Sequence, residues 1–185
     1  MIKLIKLLLL KSVLFAMMGC TALPPLDFTV QDVGMVNNRK DVELKSLTVG
    51  FAPQEQQRVV EADHGVPPIW KEALQDAISR SLIFKDNAPT KINLSVRIVE
   101  ARLTGFAEVT CHIGAIYEIV NRNNGDLLFA QEISSKGIVP LDYAFVGVVR
   151  GRECGNRGVR NNIAEFINQL EQADLSKPMF PAQTQ

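Results

Sequence analysis

The segment that begins at Lys91 constrains the fold more than any other, because its apolar residues recur at every second position. Those apolar residues are Ile92, Leu94, Val96 and Ile98, with polar residues between them. This alternation is typical of a β-strand that has one buried and one solvated face. After Ile98 the apolar positions shift by one residue, to Val99, Ala101 and Leu103, which predicts a β-bulge near Ile98 and Val99.

Further strands are predicted on both sides of this segment. Residues 106–120 alternate in the same way, and the Asn-Asn-Gly-Asp sequence at 123–126 predicts a hairpin turn because Asn and Gly tolerate positive φ. Residues 127–139 then return as the partner strand. Weaker alternation over 28–35 and 42–51 predicts two earlier strands.

The segment after Pro67 and Pro68 has the pattern of an amphipathic helix. Proline suits the first turn of a helix, since its missing N–H would be unpaired there. The apolar residues that recur at helical spacing are Trp70, Ala73, Leu74, Ala77, Ile78 and Leu82. We therefore predict a helix over about 67–84, with Trp70 in the core.

A second amphipathic helix is predicted over about 157–172, with Asn156 as its N-cap. Extending its apolar stripe backwards would bury Arg152 and Asn156, and burial of an arginine without a partner costs too much free energy. Residues 143–150 are therefore predicted to form a separate β or irregular segment.

Together these elements predict an α+β fold with two layers, in which a mostly antiparallel sheet of about five strands is covered by two helices. Residues 28–173 form one predicted domain. The tail over 174–185 contains two prolines and is predicted to be disordered.

The N terminus has the pattern of an export signal. Three lysines precede the apolar run over 13–18, which is shorter than the roughly 20 apolar residues that span a bilayer. The run ends in Met17-Met18-Gly19-Cys20, which resembles the lipobox of bacterial lipoproteins. The alternatives are a plain N-terminal membrane anchor, or an ordinary signal peptide followed by a chance cysteine.

The lipobox resemblance implies that residues 1–19 are a signal peptide and that Cys20 carries a covalent lipid. Thr21, rather than Asp, follows the cysteine, and in this class that implies the outer membrane. Residues 20–27 would be the tether, which in an extended form reaches only about 20 Å. Several acyl chains would hold the domain stably on the membrane, so its partners are expected near the membrane surface.

The order β-β-α-β-β-β-α behind a lipidated N terminus is similar to that of YajG-like and transport-auxiliary lipoproteins of the periplasm. The resemblance covers residues 28–172 in element order only, and it implies no site residues. Removing the signal peptide leaves 17 basic residues against 20 acidic ones. A domain with this balance is not a polyanion binder by bulk charge, so no nucleic-acid partner is expected.

Two cysteines remain once the lipobox accounts for Cys20. Cys111 falls on the inward face of its predicted strand, and Cys154 lies shortly before the second predicted helix. An exported domain occupies an oxidising compartment, where such a pair is able to form a disulfide. The alternative is two separate thiols.

The sequence carries few groups suited to catalysis. Cys111 and His112 are adjacent on a strand, so their side chains point to opposite faces, and they lack the spacing of a metal site. His64 beside Asp63 fits a base held by a carboxylate as well as an ordinary exposed loop histidine. Nucleophile-elbow, phosphate-loop and dinucleotide motifs are absent from the sequence. No catalytic residue, metal or cofactor is expected beyond the lipid on Cys20.

One local concentration of positive charge lies among glycines near the second predicted helix. It consists of Arg150, Arg152, Arg157 and Arg160. Glycines allow backbone N–H groups to approach a ligand, and a helix N-terminus favours anions. The cluster therefore predicts an anion or partner contact; the alternative is a solvated loop that Glu153 partly neutralises.

Three functions fit these features. The first is a non-enzymatic accessory lipoprotein at the outer membrane that docks onto an envelope protein complex. The second is a lipid or glycan carrier, which requires an apolar cavity, whereas small residues such as Ala73, Ala77, Ala107 and Ala115 favour close packing. The third is an enzyme that modifies acyl or glycan groups of the envelope.

Overall fold

The computed structural model of the chain describes residues 23–180. The predicted signal peptide and the lipobox with Cys20 lie outside the described residues, as do residues 181–185. Residues 23–27, the end of the predicted tether, have no regular secondary structure.

Four strands form one open sheet in the order β1-β2-β3-β4. Their bounds are Val42–Phe51 for β1, Thr90–Thr104 for β2, Val109–Asn121 for β3 and Leu127–Val139 for β4. β2, β3 and β4 are antiparallel neighbours, whereas β1 runs parallel to β2. The sheet is therefore mixed.

Two helices cover one face of this sheet. α1 spans Val66–Ser81 and α2 spans Gly147–Gln172. α1 packs on β1 and connects it to β2, which explains the parallel pairing, since parallel strands need a crossover connection. α2 packs on β3 and β4 and against α1. Within the described part of the chain, neither helix combines the length and the apolar character that crossing a bilayer requires.

The predicted two-layer α+β fold is confirmed, but the described residues contain four sheet strands rather than about five. Residues 28–35 do not form a strand. Phe28 and Val30 are nevertheless buried. The Arg80 guanidinium, rather than a neighbouring strand, donates hydrogen bonds to the carbonyls of Val30 and Gln31.

Two local predictions in the sheet are confirmed. The register between β2 and β3 shifts between Ile98 and Glu100, which is the predicted β-bulge. The turn between β3 and β4 contains Gly125 at a φ of +80°, a conformation that glycine adopts without strain. Trp70 is fully buried in α1, also as predicted.

The predicted start of the second helix is wrong, because α2 begins at Gly147 and not near residue 157. Arg150 is the arginine that becomes buried, and carbonyl oxygens accept hydrogen bonds from its guanidinium. Asn156 is not an N-cap. It lies inside the helix, where its side-chain oxygen accepts a hydrogen bond from the amide of Asp27 at 3.1 Å and its nitrogen donates to the carbonyl of Pro25 at 3.3 Å.

Residues 174–180, assigned from the sequence to a disordered tail, lie against the domain. Leu175 is buried, and the amide of Met179 donates to the carbonyl of Leu127 at 2.8 Å. Nearby, the buried Lys40 ammonium donates to the last carbonyls of α2, at Glu171 and Ala173, both at 2.7 Å. A cation suits this position because the C-terminal end of a helix carries partial negative charge.

Candidate partner and ligand surfaces

The topology brings three connections to one end of the sheet. They are the β1–α1 connection over 52–65, the β2–β3 turn over 105–108 and the β4–α2 connection over 140–146. They lie together because β1, β2 and β4 run in the same direction. We call this the loop end; the β3–β4 turn lies at the opposite end.

Exposed apolar side chains concentrate at the loop end. Phe145 is 98% exposed and Phe106 is 88% exposed. We define the apolar end patch as six exposed residues of this region: Leu103, Phe106, Leu141, Phe145, Val146 and Val148. Large apolar side chains grouped on a surface mark interaction sites more often than isolated ones do.

Arg150 holds two of these loops together. Its side chain is buried, at 4% exposure. Nη1 donates to the carbonyls of Ala144 at 2.6 Å and Phe145 at 3.0 Å, and Nη2 donates to the carbonyl of Phe106 at 3.2 Å. One guanidinium thus fixes the main chain on which both exposed phenylalanines stand.

The other predicted anion-binding arginines do not form one site with Arg150. Arg157 donates to the Glu153 carboxylate at 2.8 Å and lies over the Tyr143 ring. Arg160 donates to the Asp27 carboxylate at 2.7 Å. Arg152 differs from the other three. Within residues 23–180, its guanidinium has no ion-pair partner and makes no hydrogen bond.

The Asp27 pair ties the N-terminal segment to α2. The pKa of the Asp27 carboxyl is held below its ordinary value, first by hydrogen bonds from Thr29 and also by the Arg160 guanidinium. Because Asn156 binds the same segment, residues 25–27 have several anchors along the middle of α2.

A groove of about 380 Å³ opens between the helices and the sheet, beside the loop end. Its lining is mostly apolar and includes Phe28, Trp70, Ile98, Ala101, Ile113 and Val159. Of the alanines that favoured close packing, Ala73, Ala77 and Ala115 are buried as expected, whereas Ala107 is exposed. The groove does not open at these alanines but along the part of α2 that contains Gly147, Gly151 and Gly155.

The structure brings Cys111 and Cys154 together in a small buried cluster with Val109 and Val139. Both are free thiols, and that of Cys154 donates to the carbonyls of Val109 and Gly137, each at 3.3 Å. Interaction with Cys154 and burial both raise the pKa of Cys111. The disulfide between them stays a prediction.

Neither histidine has the surroundings of a catalytic base. His64 meets the edge of the Phe51 ring, while the Asp63 carboxylate accepts a hydrogen bond from the amide of Gly65 at 2.7 Å. His112 lies 3.3 Å from the Thr104 hydroxyl. In the described range, no three His, Cys, Asp or Glu side chains come together as a set able to hold a metal ion.

Sequence reasoning missed Phe106 and Phe145. Phe106 falls in the predicted alternating strand over 106–120, and Phe145 falls in the segment over 143–150 that is predicted to be β or irregular. The available signal is the apolar run Ala144-Phe145-Val146 within that segment. Such a run has no neighbouring strand or helix to bury it, so it indicates an exposed contact site.

The fold is similar to that of several bacterial proteins of known structure. A Xanthomonas campestris protein of the family DUF330 aligns with a TM-score of 0.50 and 10% identity, over 79% of this chain and 91% of that one. A candidate lipoprotein from Caulobacter crescentus aligns at 0.47 and 12% identity, over 71% and 89% of the two chains. A minor lipoprotein from Acinetobacter baumannii aligns at 0.46 and 13% identity, over 70% and 90%.

These likenesses concern the fold alone. No protein-family model matches the sequence, and no curated protein matches it. The chain thus shares its α+β fold with the DUF330 protein from Xanthomonas campestris.

Proposed function

We propose that this protein is a non-enzymatic accessory lipoprotein that docks onto an envelope protein through the apolar end patch. The observation that carries the proposal is the exposure of Phe145 and Phe106, at 98% and 88%, on loops that the buried Arg150 fixes in place. Aromatic side chains are enriched among the residues that contribute most to protein interfaces.

Burial of the two phenylalanine rings would contribute to binding. Full burial of an exposed phenylalanine side chain contributes about 1.5–3 kcal/mol, so two of them would contribute about 3–6 kcal/mol before the costs of association. Because both rings already stand on fixed main chain, little further ordering of these loops is needed on binding.

The charge of the loop end favours a protein partner over an anionic membrane surface. Its three connections carry five acidic residues, namely Glu55, Glu61, Asp63, Glu108 and Asp142, against one basic residue, Arg58. Segments that bind anionic lipid surfaces are instead rich in lysine and arginine. An apolar patch with acidic neighbours suits an apolar protein surface that has a neutral or basic rim.

The proposed location is the periplasmic face of the outer membrane, through an acyl anchor on Cys20. This part of the proposal rests on the resemblance of residues 17–20 to a lipobox and on Thr21. This location agrees with docking, because a short tether would keep the apolar end patch within reach of membrane-bound complexes.

Photo-crosslinking in cells tests the docking proposal. The full chain would carry p-benzoylphenylalanine at Phe145, at Leu141, or at the exposed Asn124 in the β3–β4 turn as the matched control. We expect one crosslinked protein of the same mass from positions 145 and 141 and none from 124. Adding Phe106→Ser should remove the product formed at Leu141. Equal crosslinking from Asn124, or crosslinking to lipid alone, would overturn the proposal.

A further inference from the structure

The groove beside the loop end has the size and lining of a binding site for a slender apolar ligand. Its volume of about 380 Å³ lies within the roughly 300–1,000 Å³ that small-molecule sites occupy. An α-helix with its side chains is about 10–12 Å across, so a helical peptide would need far more room. A single extended hydrocarbon chain fits this space.

Part of the space exists because three of the α2 positions that line the groove, Gly147, Gly151 and Gly155, carry no side chain. A Cβ atom added at Gly155 would meet no other atom within 4 Å, and one added at Gly151 would meet only the Leu103 side chain, at 3.1 Å. At Gly158, three residues after Gly155, an added Cβ would lie 2.7 Å from Ile113. The groove is therefore open at Gly151 and Gly155, whereas α2 packs closely on Ile113 at Gly158.

The charged residues of the lining indicate which chemical group of a ligand the groove would recognise. The Glu61 carboxylate accepts a hydrogen bond from the amide of Leu103 at 3.1 Å, and Arg102 lies 3.6 Å from Glu100. The Asp63 carboxylate accepts a hydrogen bond from the amide of Gly65. Within residues 23–180, the half-buried Arg152 is the charged lining residue that has no such partner.

An arginine in this position suits an oxyanion. Its guanidinium forms bidentate, charge-assisted hydrogen bonds to carboxylate or phosphate groups. We propose that the groove binds one aliphatic acyl chain and that Arg152 holds its anionic head group. The chemistry is shared by a free fatty acid and a single-chain phospholipid. The proposal does not rest on docking through the apolar end patch, although Leu103 and Val148 belong both to that patch and to the groove lining.

Calorimetric titration of the full chain tests the groove. Every sample carries Cys20→Ser, so that no acyl chain is attached there. The probes, used below their micelle concentrations, are palmitate and lysophosphatidylglycerol. Gly155→Leu places a side chain in the groove and should weaken binding of the favoured probe at least tenfold. Gly155→Ala is the matched control and should change binding less than threefold. Unchanged binding by a folded Gly155→Leu variant would overturn the proposal.

The head-group assignment is tested with Arg152→Gln. This variant should weaken binding of the anionic probe about tenfold, as the loss of a charge-assisted hydrogen bond implies, and should leave binding of the uncharged 1-hexadecanol unchanged. Arg152→Lys should restore part of the affinity, and Arg122→Gln, at the opposite end, should have no effect. Tighter palmitate binding would identify a fatty acid as the source, and tighter lysophosphatidylglycerol binding a phospholipid. Equal losses for the anionic probe and hexadecanol would contradict the role of Arg152.

Discussion

The two halves of α2 differ in what they bury. The second half, residues 157–172, buries apolar side chains against the sheet, and Phe166 stacks on Tyr117 with ring centroids 4.2 Å apart. The first half, residues 147–156, buries Arg150, Cys154 and Asn156 instead. The second half thus builds most of the core, with Asn162 as its buried polar side chain, whereas Arg150 and Asn156 anchor the first half beside an open groove and an exposed patch.

The largest effect is expected in the second half of α2. Phe166→Ala should lower the free energy of unfolding by about 3–5 kcal/mol, because it removes a fully buried ring and leaves a cavity. Val148→Ala in the first half is the matched truncation. Val148 is 62% exposed, so Val148→Ala should lower the free energy of unfolding by less than about 0.5 kcal/mol. Urea unfolding measures both, and equal losses would refute the division of the helix.

Arg150 is the exception that anchors the first half. Arg150→Ala removes the donor that binds three carbonyls and should lower the free energy of unfolding by about 1.5–3 kcal/mol. We also expect faster proteolysis within 105–108 and 140–146. Arg122→Ala, on the exposed β3–β4 turn, is the control. If Arg150→Ala leaves both stability and proteolysis unchanged, the guanidinium does not hold the loops.

Two glycines of α2 give a sharper comparison, since they lie three residues apart. Gly158→Ala places a Cβ 2.7 Å from the Ile113 side chain and 3.3 Å from the Gly137 amide nitrogen, and overpacking of this kind costs about 1–3 kcal/mol. Gly155→Ala meets nothing within 4 Å and should stabilise the helix by about 0.5–1 kcal/mol. Thermal unfolding should shift in opposite directions, and shifts of the same sign would contradict open space at Gly155 beside close packing at Gly158.

The elements that could be predicted are those whose apolar periodicity determines their burial. The alternation in β2 and β3 gave both strands and the β-bulge, and the apolar stripe that contains Phe166 gave the second half of α2. The first half could not be found in this way, because two of its three buried residues, Arg150 and Asn156, are polar. Whether Arg150 has partners depends on carbonyls of residues 106, 144 and 145, which are distant in sequence or belong to an irregular loop.

The candidate sites were predicted less well, because they too depend on contacts between residues that are distant in the sequence. The four arginines looked like one group in the sequence, yet Arg157 and Arg160 bind their own carboxylates. The apolar end patch needed the topology, because its residues come from two segments that are distant in the sequence, 103–106 and 141–148. Cys111 and Cys154 lie in one buried cluster, and the disulfide between them stays a prediction, because the sequence does not determine their oxidation state.

A smaller effect of pH is expected where α2 holds the N-terminal segment. The pKa of Asp27 lies below its ordinary value of 3.8 in the folded chain, so its contribution to stability is present above pH 3.8 and is lost as the pH falls through the folded-state pKa. The rate of cleavage near residue 27 by an acid-active protease should therefore increase as the pH falls below 3.8. In Asp27→Asn the increase should disappear, and an identical acid response in the variant would exclude Asp27 as its cause.

The central claim is that the loop end serves contact with a partner and not folding. The most direct measurement is the free energy of unfolding of the double variant Phe106→Ser and Phe145→Ser, determined by urea titration of the isolated full chain. Both rings are exposed, so the account predicts a value within about 0.5 kcal/mol of the unchanged protein. A loss of about 3 kcal/mol or more, as for a core phenylalanine, would contradict it.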